Sequence, residues 1–175
     1  MGLTIKEMCV FPMLGTIIFL SKLIMEPLPN IHLVGTLIAV YTIVYRQKAL
    51  IPIYIYVVLT GVYAGFSPWW IPYVYIWTIL WGAIMLLPKK MNPKIGAFVY
   101  PIVTALHGLL YGVLYAPTQA LVYKMNFHQT LLWIGAGFYF DVLHGIGNLV
   151  LGILIYPLAK LVFKLSRDMN IECAK

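Results

Sequence analysis

Asp141, His144 and Asn148 fall at i, i+3 and i+7 in the apolar stretch FDVLHGIGNLVLG, on one face of a helix. A carboxylate, an imidazole and a carboxamide at that spacing suit three tasks: fixing a ligand's polar edge, relaying a proton, or tying neighbouring helices together. An aspartate at the centre of a membrane helix costs about 2.5–3.5 kcal/mol, so such a residue marks a functional site by default. Gly145, Gly147 and Gly152 run through the same stretch and give room for a ligand or a second helix. A further imidazole, His107 in TALHGLLYG, is followed by Gly108 and Gly112. It has two readings, a partner for His144 or a packing residue on its own helix.

Aromatic side chains are the other excess, with 13 Tyr, 8 Phe and 5 Trp. Many belong to an interfacial belt, but Tyr56, Tyr75 and Trp77 lie deeper and are expected to sandwich a flat ring. Asn30 and His32, in MEPLPNIH, and His128 lie in connections that would close over such a ligand or be solvated. HExxH, GxSxG, phosphate-loop and CxxC patterns do not occur. The expectation is therefore binding without catalysis, with no catalytic residue, no metal ligand set and no cofactor on this chain.

What positions these residues is a membrane domain. Of 175 residues, 62% are hydrophobic and 10% charged, and the mean hydropathy is +0.91. That leaves too few charges to cover a soluble domain. The reading is a single all-α membrane domain over 1–175 with six spans, near Met8–Met25, Ile31–Tyr45, Ala49–Phe66, Trp69–Leu87, Ile95–Tyr115 and Leu131–Val162. The second would cover only about 22 Å of a hydrocarbon core of about 30 Å, so it must thin the bilayer, extend, or pack inside the bundle.

The net charge of +7 does not signal nucleic acid, because the basic residues flank apolar runs and form no basic face. Ten of the twelve Lys and Arg (Lys6, Arg46, Lys48, Lys89, Lys90, Lys94, Lys160, Lys164, Arg167, Lys175) fall on one side. Lys124 falls on the other and Lys22 inside the first span. The positive-inside rule then puts both termini in the cytoplasm. EPLPNIH, FSPWW and APTQALVYKMNFHQ become outer connections, and Cys9 and Cys173 read as free thiols.

With six spans in a short chain, MEPLPNIHLVGTLIAVYTIVYRQKAL after the first span and FYFDVLHGIGNLVLGILIYPLAKLV at the end, the protein resembles the S components of energy-coupling factor (ECF) transporters. The resemblance covers nearly the whole chain. The family's sixth helix carries a Pro-Phe-Asn/Asp-x-x-Lys/His run that lines the ligand pocket. Here that run falls on Asp141 and His144, with Tyr139 in place of the proline. The resemblance implies a substrate-binding subunit in the bacterial plasma membrane that captures a micronutrient from outside and works with a transmembrane coupling subunit and two ATPases, which use the ATP. The first span departs from the family in lacking the Ala-x-x-x-Ala docking pattern; its small residues are Gly15 and Ser21. The expected ligand is a vitamin or modified nucleobase. Alternatives are a tetrapyrrole (haem or cobalamin), a proton-coupled carrier using Asp141 and His144, and a small intramembrane enzyme.

Overall fold

The computed structural model describes residues 2–89 and 91–173; Lys90 and Lys175 of the basic set lie outside them. The described residues form eight α-helices and no strand: α1 (Ile5–Ile24), α2 (Val34–Tyr45), α3 (Leu50–Ala64), α4 (Tyr73–Met85), α5 (Pro93–Leu109), α6 (Tyr111–Val122), α7 (Phe127–Gly152) and α8 (Ile155–Asp168). Three starts follow from side-chain caps. Thr4 with Glu7, and Asn126 with Gln129, each form a capping box, and Asn92 caps α5 ahead of Pro93.

Side-chain contacts fix the direction of each helix. Lys48, just before α3, meets Glu7 of α1, and further along Phe19 meets Tyr63 with ring centroids 5.6 Å apart, so α1 and α3 run the same way. The α4 helix opposes α3: Tyr54 bonds Thr78 at 2.8 Å, and the Trp70 indole donates to the Val57 carbonyl at 2.8 Å. Pro101 meets Gly152, and Gly108 meets Gly145, so α5 and α7 are antiparallel. Along this axis the chain passes six times, with α5–α6 and α7–α8 each counting as one broken pass.

Four helical runs are long and apolar enough to cross a membrane: Ile5–Ile24, Val34–Ala64, Pro93–Val122 and Phe127–Gly152. The second of these folds back on itself. At Arg46, φ 53° and ψ −117° are values of the first central position of a type II′ turn, which glycine normally occupies. Two hydrogen bonds hold it there. The guanidinium donates to the Met85 carbonyl at 2.8 Å, and the Trp81 indole donates to the Arg46 carbonyl at 3.0 Å. The resulting α2 is short, and it packs inside the bundle: every residue of it except Ile43 is buried. The outer faces carry large apolar side chains, such as Leu86 (89% exposed), Leu121 (81%) and Phe98 (73%), as a lipid-facing surface requires.

Two expected boundaries change. The fifth pass continues as helix to Val122, so Pro117 to Val122 are not a loop, and Thr118 is buried. The connection to α7 is only 123–126. The expected last span Leu131–Val162 breaks at 153–154, and the strongly amphipathic α8 follows, with Lys160, Lys164 and Arg167 exposed. Apolar content alone did not reveal these breaks.

At one end of the bundle, Lys48 lies between Glu7 at 2.6 Å and Glu172 at 2.8 Å. Glu7 is fully buried and Lys48 is 7% exposed, so the charges need each other. Lys48→Met should destabilise the protein in detergent by roughly 3 kcal/mol, the lower end for a broken buried pair. Adding Glu7→Gln, which keeps the helix cap, should restore most of that loss. Melting of both variants at the temperature of the unaltered protein would show that the pair contributes nothing.

Candidate functional site

The site begins at a break in a helix. Leu110 ends α5 with φ −92° and ψ 3°, and α6 starts at once, so the first N–H groups of α6 lack partners within their own helix. Asp141 on α7 supplies one. Both of its carboxylate oxygens accept from the Gly112 N–H at 3.1 Å. The carboxylate thus sits at the positive end of a helix dipole, an inter-helix cap. Gly112 is required there because a Cβ would occupy the place of the carboxylate.

Around this joint, five rings from five segments form a closed circuit. His32 contacts Trp77 (ring centroids 6.4 Å apart), and Trp77 contacts His107 (5.7 Å). His107 contacts Tyr111 (6.3 Å), Tyr111 contacts His144 (5.0 Å), and His144 closes on His32 (5.0 Å). These are separations of rings in direct contact. Tyr56 and Tyr73 extend the circuit behind Trp77, at 5.9 and 5.8 Å. Asn148 lies one turn beyond His144 on α7, against Gly108 and Gly35. Four of the rings stand on helices; only His32 is carried by a connection.

The circuit is short of hydrogen-bond partners. Seven buried side-chain polar atoms among the described residues have none, and five belong here: His32 Nδ1, Trp77 Nε1, His107 Nδ1, His144 Nε2 and Asn148 Oδ1. Each unpaired buried group costs about 1–3 kcal/mol, so proteins leave only a few, and here five lie together. Such a concentration marks a place that something else completes. Among the described residues, no group of three His, Cys, Asp or Glu is arranged to hold a metal ion.

Of the residues singled out by sequence, His32, Trp77, His107, His144 and Asn148 come together, with Tyr56 adjoining them. Four take other positions. Tyr75 faces α6, donating to the Leu114 carbonyl at 2.8 Å beside Thr118. Asn30 is exposed and donates to the Phe140 carbonyl at 3.3 Å. Asp141 is engaged by Gly112. His128 is exposed. Sequence reading passed over Tyr111 and Tyr73, although Tyr111 stands four residues after His107, on the same helical face.

No family model, no curated protein and no solved structure matches this chain.

Two outcomes follow from the orphaned atoms. His144→Phe keeps a ring of similar shape and removes an unpartnered nitrogen, so the protein without ligand should melt at the same temperature or higher. A drop of several degrees would mean that His144 holds helices together. Burial also lowers the pKa of His32 to about 4 from 6.5, and the positive charge of Lys22 acts in the same direction. The unfolded chain therefore takes up this proton before the folded one, and stability should fall as pH drops from about 6.5 towards 4. His32→Phe should flatten that part of the melting profile; an unchanged slope would exclude His32 as its source.

Proposed function

We propose that this protein is the substrate-binding S component of an ECF-type importer in the bacterial plasma membrane, binding a flat heteroaromatic micronutrient from outside. One observation carries the reading: the five unpartnered buried atoms converge near the end of the bundle where connections 25–33 and 65–72 lie. Six alternating passes support six membrane crossings. The collection of Arg46, Lys48, Lys89 and Lys94 at the opposite end supports a cytoplasmic placement of both termini. ATP would be used by two partner ATPases through a transmembrane coupling subunit. With no Ala-x-x-x-Ala on α1, docking would fall to the half-buried Ser21 and not to Gly15, which is buried against Pro52 and Ile55 of α3. A proton relay between Asp141 and His144 has less support, because the carboxylate is taken up by the Gly112 N–H.

The rings already touch, so a ligand enters only when one moves. The part free to do so is the His32 connection, which packs on α7 where a Cβ on Gly147 would stand 3.2 Å from Ile31 Cγ1. That approach suits a disulfide. Cysteines at Ile31 and Gly147 should, when oxidised, abolish uptake of substrate by the complex reconstituted in liposomes, and reduction should restore it. Uptake unaffected by oxidation would exclude this entry route. Uptake by the chain alone, without coupling subunit and ATPases, would overturn the S-component assignment in favour of a carrier. Single cysteines at Ser67 or Lys124 should label from outside intact cells while Cys173 should not; labelling of Cys173 would invert the orientation.

A further inference from the structure

The hydrogen bonds that the circuit already makes determine what the remaining atoms have to offer. His107 Nε2 lies 3.1 Å from the Ile76 carbonyl oxygen. A carbonyl only accepts, so Nε2 carries the hydrogen and Nδ1 of the neutral ring presents a lone pair. A buried imidazolium would need an anion beside it, and the carboxylate on this face, Asp141, is engaged by Gly112. Asn148 is oriented by the same logic. Its amide nitrogen donates to the Thr104 carbonyl at 3.0 Å, which leaves Oδ1 as an acceptor. Trp77 Nε1 is only ever a donor. His32 Nδ1 and His144 Nε2 adapt to either role according to tautomer. The circuit therefore presents two fixed acceptors, one fixed donor and two adaptable nitrogens, all on uncharged groups and all walled by rings.

We propose that the circuit takes an uncharged planar heterocycle bearing at least two N–H donors, for His107 and Asn148, and a ring acceptor for Trp77. The proposal rests on the reading of the circuit as the substrate site and narrows its ligand class. An anion is disfavoured because its oxygens would meet lone pairs at His107 and Asn148, with no cationic side chain among the five groups to balance them. A donor-free ring of the same shape is disfavoured because both acceptors would stay unpaired in a site that excludes water.

Three planar probes separate these cases when titrated into the purified full chain at neutral pH, with tryptophan fluorescence and calorimetry as readouts. Adenine is neutral and planar, with N–H donors and ring acceptors. Caffeine has the same fused ring without an N–H, and nicotinate is a planar anion. Adenine should bind saturably. Caffeine and nicotinate should bind about five- to 150-fold more weakly, the range for one buried polar group left unpaired. Asn148→Leu should weaken adenine by a similar factor, with melting recorded in parallel; the probe series needs no variant and stands if this one fails to fold. Caffeine or nicotinate binding as tightly as adenine overturns the proposal, as does the absence of a saturable adenine response up to millimolar concentration. The S-component reading fails on a different result, uptake by the chain alone, so the two failures are distinguishable.

Discussion

The close approach of α5 and α7 is the constraint on which the rest of the bundle depends. Their backbones meet through glycine: a Cβ on Gly108 would stand 3.0 Å from the Gly145 nitrogen, and one on Gly152 would stand 2.8 Å from Pro101 Cα. Side chains of ordinary size would push the helices apart, as in other membrane bundles where small residues set the helix spacing. With the seam closed, Asn148 reaches the Thr104 carbonyl and Asp141 reaches the Gly112 N–H. Without it, both polar side chains would face an apolar interior unpaired. The same seam sets His107 and His144 on either side of Tyr111, so the aromatic circuit is a product of backbone spacing.

Polar groups within the bundle thus divide into two kinds. Asp141 and the amide nitrogen of Asn148 complete backbone bonds that a helix break or a neighbouring carbonyl leaves open. The circuit nitrogens and Asn148 Oδ1 complete nothing within the chain. Both kinds are conspicuous in an apolar sequence for the same energetic reason, and composition alone does not separate them. Asp141 shows the difficulty. It has the strongest functional signature in the sequence, yet its carboxylate acts as a cap for α6.

Much of the architecture was legible before the fold was known. Hydrophobic runs located the helices, because runs long and apolar enough to cross a membrane stand out from the charged and Pro-rich connections between them. The helix breaks at Leu110 and at 153–154 were not legible, since Leu, Ile and Tyr suit a continuous helix as well as an interrupted one. The short α2 was read as a problem of length with three solutions, and enclosure by its neighbours is the one observed. At the site, one-face spacing grouped His144 with Asn148. The meeting of His32, Trp77 and His107 depends on packing between segments distant in sequence. Depth along the span grouped Tyr75 with Trp77, but depth does not fix direction: Tyr75 faces Leu114 and Thr118, whereas Trp77 faces His107.

The ion triad at the opposite end has a consequence for biosynthesis. Lys48 and Glu7 belong to the first segments made, but Glu172 follows Lys48 by 124 residues. At about 5–20 residues per second, that gap is roughly 6–25 s of translation. Through this interval Glu7 is the one carboxylate of the triad available to Lys48. The segment after α8 then docks by Ile171, and Lys6 donates to the Met169 carbonyl at 3.0 Å. The full triad therefore cannot form until the residues of the site have been synthesised.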